Sequence, residues 1–439
     1  STLFPYTTLF RSAFYYYTLV QGWGAVPMRL ASTKDVIGLD MPRTDKQLIY
    51  DQIVQDMTTA IEGLPETPST PELLSKSAAR AMLARVWLFR AGECYRDHQT
   101  ADDTWRSQCF AEARRWALEV KESTLHGLVK PYSRVFMDQC MDLYNSTGVN
   151  EMIWEVPATG NNATDVPAGG RMGNTLGFGL GNNEIGITTH LDEGGLANPG
   201  YSYNFGYASL KLYEMYEQEG DTARGDWNII PFSYTTGKVN GVTSVTGRRF
   251  YYGRLRDSYE APAGYTYTEE SEIASEANKT RCCGKWRREY EKVLPKNKNY
   301  TPINYPIMRY SDVLLMLAEA ENELNGPTTL AYECINAVRS RADIRELESL
   351  DKDAFREAIK KERAMELCFE AIRRYDLIRW GDFVSNMLDM ESYVYRTGWG
   401  TTYQYAVEYY RVTDAYNYFP IPDTEMSLNK AITANNPGW

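Results

Sequence analysis

Three carboxylates at helical spacing, Glu362, Glu366 and Glu370, are the first residues in this sequence that could do chemistry. Residues four apart on a helix hold their Cβ atoms about 5 to 6 Å apart, close to the separation of the two acids in a retaining glycosidase. The charges around them point elsewhere. Glu370 stands four before Arg374, Glu357 four before Lys361 and Asp376 three before Arg379, spacings that make salt-bridged pairs along a helix. Arg309, Glu319, Glu366 and Arg373 interrupt apolar helical pattern, and buried charges need partners, so these four are expected to pair between helices. Catalysis is therefore not expected. His98, His126 and His190 are isolated, with no HExxH. No GxSxG elbow occurs, and Gly177, Gly179 and Gly181 alternate with Phe178 and Leu180 without forming GxGxxG. The seven cysteines never fall as CxxC, which indicates neither a zinc site nor a dense disulfide framework. No metal or cofactor is expected.

The aromatic inventory is more informative. The chain has 33 tyrosines, 14 phenylalanines and 10 tryptophans, and many tyrosines lie in polar, Gly-rich stretches that no core periodicity claims. Such rings face solvent or a ligand. A sugar presents an apolar face of C–H groups to an aromatic plane, while its hydroxyls bond to Tyr, Asn, Asp and Arg. Tyr251, Tyr252, Tyr265 and Tyr267, with Arg254 and Asp257 near them, form the preferred platform, and Trp227, Trp399 and Tyr403 are reserves. The competing role for each ring is packing of the irregular region onto helices.

The elements that must position these residues follow from pattern. The 439 residues, 43% hydrophobic, suffice for a large core. A net charge of −11 repels phosphate backbones, so nucleic acid is not an expected partner. No window of about 20 apolar residues is present to span a bilayer as a helix. Leu48 to Leu64 and Ala78 to Ala91 repeat apolar residues at helix spacing, Pro65 ends the first run, and Phe110 to Lys121 is a third helix. From about Tyr132 to Tyr305 the sequence is Gly- and Asn-rich, with short alternating pieces such as Glu151 to Val156 and one helix near Tyr207 to Gln218. Helical pattern returns at Tyr310, breaks at Gly326 and Pro327, resumes from Ala331 to Ala342, and runs again from about Asp353 to Trp380. Hairpins of this size look like tetratricopeptide-type units, which bury their apolar faces by stacking. At the front, Thr2 to Ser12 (TLFPYTTLFRS) matches, codon for codon, the translation of a common sequencing adapter. Residues 1–12 are accordingly expected to be an assembly scar, with the native N-terminal part and any export signal lost.

Three stretches together resemble the SusD/RagB family of outer-membrane nutrient-binding lipoproteins of Bacteroidetes: Met308 to Ala320 (MRYSDVLLMLAEA), Glu362 to Gly381 (ERAMELCFEAIRRYDLIRWG), and Phe419 to Trp439 with its PIP and NNPGW elements. Trp23 to Pro27 (WGAVP), Ile49 to Pro65 and Gly220 to Arg224 (GDTAR) fit the family's earlier landmarks in order. The resemblance implies a mainly α platform of four tetratricopeptide-like hairpins, with an irregular aromatic-bearing region packed over it. It further implies non-catalytic capture of oligosaccharides at the cell surface for a SusC-like TonB-dependent transporter, with an outer-membrane lipid anchor missing from this fragment. One domain is expected over 13–439: hairpins at 13–130 and 306–385, the irregular ligand-binding region at 131–305, and an aromatic-rich tail at 386–439. The alternatives are a helical-repeat scaffold gripping a peptide or protein, and a glycoside hydrolase.

Overall fold

The apolar runs fold as helices, and the described parts of the Gly-rich middle fold as short strands, loops and short helices. The computed structural model describes residues 4–35, 37–97, 103–144, 148–159, 169–180, 199–239, 241–250, 266–269, 282–291, 293, 296–396 and 407–439. In chain order the main elements are α1 (Phe4–Trp23), α2 (Lys46–Gly63), α3 (Lys76–Asp97), α4 (Asp103–Glu122), α5 (Tyr132–Cys140), β1 (Met152–Val156), α6 (Leu210–Glu219), α7 (Thr222–Asn228), β2 (Phe232–Val239), β3 (Val242–Phe250), β4 (Thr266–Glu269), β5 (Tyr305–Arg309), α8 (Tyr310–Asn325), α9 (Thr329–Arg341), α10 (Lys352–Glu366), α11 (Arg373–Trp380), α12 (Phe383–Arg396) and α13 (Asp423–Leu428). No described helix is long and apolar enough to cross a membrane.

One core joins α1 to α4 with α8 to α11. Asp45 caps α2 by accepting from the Gln47 amide at 2.8 Å, and Ile49, Ile53, Met57 and Ala60 fall on its buried face. Ala78, Ala81 and Ala84 on α3 are fully buried, in a helix that packs against α2, α4, α8 and α11. A Cβ at Gly92 would lie 2.1 Å from the Arg379 carbonyl oxygen, which only glycine avoids. Phe4 to Ser12, the stretch with the adapter-like sequence, forms the first turns of α1 and buries Phe10. The C-terminal tail closes on the other end of α1. Asn436 Nδ2 donates to the carbonyls of Trp23 and Phe419, and Trp23 Nε1 donates to the Pro420 carbonyl, which links the WGAVP, PIP and NNPGW stretches.

The expected single helix from Asp353 to Trp380 is broken after Glu366. The Met365 carbonyl accepts from Tyr216 Oη at 2.6 Å and Asn228 Nδ2 at 3.3 Å, and the Glu366 carbonyl from Lys285 Nζ at 2.8 Å and Arg309 Nη2 at 3.0 Å. Side chains from distant elements thus occupy acceptors that a continuing helix would have used. Phe369 (φ 66°) and Ala371 (φ 59°) then turn the chain into α11. Over this platform, β1 pairs antiparallel with β5, β2 and β3 form an antiparallel hairpin, and β4 runs parallel to β3.

Candidate functional site

The carboxylate stripe lies at the centre of a buried ionic cluster. Glu366 receives Arg341 at 2.5 Å, Arg309 at 3.0 Å and Arg224 at 3.0 Å. Glu362 receives Arg224 at 2.6 Å and Arg339 at 2.9 Å, and Glu370 receives Lys285 at 2.5 Å and Arg309 at 2.8 Å. Glu151 completes the group by bridging Arg309 and Arg341, each at 2.6 Å. Burial alone would raise the Glu366 carboxyl, but Arg341, Arg309, Arg224 and Lys285 outweigh it and hold the group well below the usual carboxylate range. A second cluster joins Asp312 to Arg85 and Arg363, Arg363 to Asp376, and Arg379 to Asp376 and Glu319. Arg309, Glu319 and Glu366 therefore pair between elements as expected. Arg373 instead donates to the Lys360 carbonyl and lies over Trp380. The local pairing expectations are partly corrected too. Asp376 and Arg379 do pair, at 2.9 Å. Glu370 turns to Lys285 and Arg309, while Arg374 stacks on Phe383 and Phe419. Glu357 takes Lys360, and Lys361 takes Glu219. Glu370, Arg374 and Lys361 are taken by partners on other elements, whereas Glu357 pairs within α10 at i+3.

The GDTAR stretch acquires a physical meaning here. Gly220 ends α6 at φ 66°, Asp221 caps α7 through the Arg224 amide at 3.0 Å, and the same Asp221 clamps the Arg224 guanidinium at 2.6 Å, aiming it into the cluster.

Exposed rings occur in a different place. Tyr201, Tyr203, Phe205 and Tyr207 alternate along one segment, which turns at Asn204 (φ 52°). Tyr201 meets Tyr203 edge-on at 5.0 Å, and Tyr203 stacks on Phe205 at 5.3 Å with 23° between planes. Phe205 is 66% exposed and Tyr207 54%. Opposite side chains anchor this ladder: Ser202 is fully buried and donates to the Asn174 carbonyl at 2.9 Å. The amide of Tyr203 donates to that same carbonyl at 2.8 Å, and the amide of Phe205 donates to the Thr175 carbonyl at 3.1 Å. Asn174 Nδ2 also donates to the Lys298 carbonyl. Buried Arg288, ion-paired with Glu291 at 2.6 Å, donates to the carbonyls of Tyr201, Asn297 and Tyr300, tying the ladder to the 297–301 segment. Gly200, at φ 73°, brings the backbone against Arg288, where a Cβ would sit 3.1 Å from Nε. Asn299 flanks the rings: Tyr203 Oη donates to Asn299 Oδ1 at 3.4 Å.

At Tyr207 the ladder meets a cavity of about 320 Å³ between α6, α12 and the turn after α10, lined by Ser209, Lys211, Phe369, Asn386, Met390 and Tyr410 among others. A larger cavity, about 560 Å³, lies beside α5 and is polar and acidic, with Tyr144 its one aromatic lining residue among those described. There Glu155, buried between Gln139 and Asn304, has its carboxyl pushed up to about 7 by burial.

Of the ring residues named from sequence, Tyr251, Tyr252, Arg254, Asp257, Tyr265, Trp399 and Tyr403 lie outside the described residues. Tyr267 falls in β4, paired with Arg248 of β3. Trp227 is an interior ring, 4% exposed, with the Arg287 guanidinium 3.8 Å above it. The rings sequence reasoning passed over are Tyr201, Tyr203, Phe205 and Tyr207. Their signal was an i, i+2 alternation of aromatics from Tyr201 to Tyr207, after Gly200.

Comparison with known proteins places this architecture. The model of the SusD family matches residues 150–439, and a model described as starch-binding associating with outer membrane matches 6–88. SusD-like protein P2 of Formosa agariphila is 25% identical over 441 aligned residues, 98% of this chain and 73% of that protein. A SusD homolog from Bacteroides thetaiotaomicron superposes with a TM-score of 0.76 at 24% identity, covering 100% of this chain and 79% of the other. A laminarin-binding SusD-like protein superposes at 0.64 with 21% identity, covering 98% and 78%. The chain belongs to the SusD family.

Proposed function

We propose that this protein captures oligosaccharides at the cell surface without cleaving them and passes them to a SusC-like TonB-dependent transporter in the outer membrane. The observation that carries the reading is the ladder of Tyr201, Tyr203 and Phe205, whose rings are stacked, partly solvent-facing and pinned from behind. Pre-ordered rings lose little entropy when a sugar face docks on them. A laminarin-binding relative of the same fold supports the ligand class. The outer-membrane association in the description of the family model matching 6–88 supports the location. The stripe Glu362, Glu366 and Glu370, each bound to two or more cations, is given a structural part.

Calorimetric titration with a panel of oligosaccharides tests this, alongside an assay for new reducing ends. The expected result is saturable binding with no reducing-end release, weakened by Tyr203→Ala and by Tyr251→Ala or Tyr267→Ala. Release of reducing ends would refute it. Co-purification of the protein with a co-expressed SusC-like transporter barrel tests the delivery step, and a chain that never co-purifies would remove that part.

A further inference from the structure

The segments that build the ladder differ in charge from the rest of the chain. Residues 169–180, 199–207 and 296–304 contain no Asp or Glu, yet they carry Arg171, Lys296 and Lys298, in a protein whose net charge is −11. Lys296 faces Glu291, whose carboxyl burial raises and Arg288 and Lys296 partly hold down. Of the other two, Lys298 sits at a ladder ring, and Arg171 sits at Tyr300, whose carbonyl shares the Arg288 guanidinium with that of Tyr201. Lys298 Nζ is 5.1 Å from the Tyr201 centroid, and the Arg171 guanidinium is 5.2 Å from that of Tyr300. Among the described residues neither has a carboxylate within ion-pairing distance, and the side-chain hydrogen bond of Arg171 is a long one, 3.5 Å to Asn174 Oδ1. Exposed arginines elsewhere, such as Arg115, Arg345 and Arg411, each rest against a glutamate.

Two cations that have no counter-ion among the described residues, one on the ladder ring Tyr201 and one on Tyr300, make a site that takes negative charge presented on a flat apolar face. We propose that the captured glycan is anionic: the sugar that stacks on Tyr203 and Phe205 carries, or adjoins, a carboxylate or sulfate ester met by Lys298 and Arg171. This deepens the glycan-capture reading and rests on it. The net negative charge of the whole chain would disfavour a polyanion at long range, so the local positive charge must act at contact distance, on a group held in place by the stacked ring.

The test titrates the protein with three oligosaccharides of equal length: an oligogalacturonate, a sulfated carrageenan fragment and a neutral laminarin fragment, at low and high salt. One acidic probe is expected to bind roughly tenfold or more tighter than the neutral one, with affinity falling as salt rises. Lys298→Gln and Arg171→Gln should each weaken the acidic probe by about fivefold and flatten its salt dependence while leaving the neutral probe unchanged. Which acidic probe wins distinguishes uronate from sulfate. Equal binding of acidic and neutral probes, unaffected by either glutamine variant but lost in Phe205→Ala, overturns the charge inference and leaves glycan capture standing. Absence of binding to all three by a folded protein overturns both.

Discussion

The ionic cluster around Glu366 and the ring ladder around Phe205 use the residue types usually credited with function, and they use them oppositely. In the cluster every carboxylate of the stripe is buried and met by at least two cations. In the ladder the rings are partly bare, and the cation over Tyr201, Lys298, lacks an acid among the described residues. Satisfaction of bonding capacity separates scaffold from site. A fully partnered charge has nothing left to offer a ligand, whereas an exposed ring held rigidly from below does. Buried ion pairs are weak contributors to net stability because desolvation offsets attraction, but removing one member leaves the others uncompensated. The cluster therefore acts chiefly to fix where α7, α9, α10 and β5 meet.

The largest expected effect follows from that. Arg309→Met strips a partner from Glu151, Glu366 and Glu370 together, and denaturant unfolding should show a loss of about 3–5 kcal/mol; a cost under about 1 kcal/mol would erase the contrast drawn here. Arg288→Met comes next. It leaves Glu291 without its guanidinium and frees the Tyr201, Asn297 and Tyr300 carbonyls, so it should lower stability by roughly 3 kcal/mol and abolish sugar binding. Retained affinity in a protein that still folds would show that the ladder needs no anchoring.

Acid sensitivity sharpens the comparison further. Burial lowers the His126 imidazole from 6.5 to about 4, so the neutral form is favoured in the folded state. The associated stability is complete above about 6.5 and is lost as pH falls towards 4. Asp312, held at about 2 because Arg363 and Arg85 outweigh its burial, adds a second loss as pH falls from 3.8 towards 2. His126→Gln should flatten the upper limb of the stability profile and leave the lower limb in place. An unchanged profile would contradict the assignment. Smallest of all, Arg345→Gln breaks a pair whose side chains are 84% and 75% exposed and should change stability by no more than about 0.5 kcal/mol.

Much of the platform is legible in sequence because its helices carry their own signals. The apolar spacing of α2, Asp45 before it and Pro65 after it require nothing remote. The break after Glu366 is invisible by comparison. No Gly or Pro marks it, and its cause lies in Tyr216, Asn228, Lys285 and Arg309, which only the fold brings to those carbonyls. The same holds for the ion pairs: sequence spacing suggests Glu370 with Arg374, while topology supplies Arg309 and Lys285. The β2–β3 hairpin had a local sign, Asn240-Gly241 between alternating strands. The ladder had one in its alternating aromatics, obscured by glycines and asparagines typical of loops. Trp227 shows the converse: a tryptophan beside polar residues suggests a surface ring, yet Asp221 and Arg224 turn its helix inward.

The most direct test pairs two measurements on Phe205→Ala: calorimetric affinity for the best-binding oligosaccharide and the thermal midpoint without ligand. Because the ring is largely solvent-facing, removing it is expected to weaken binding about tenfold or more while changing stability by no more than roughly 0.5 kcal/mol. Affinity equal to that of the unmodified protein, with the same midpoint, would contradict the claim that these exposed rings are where the ligand is held.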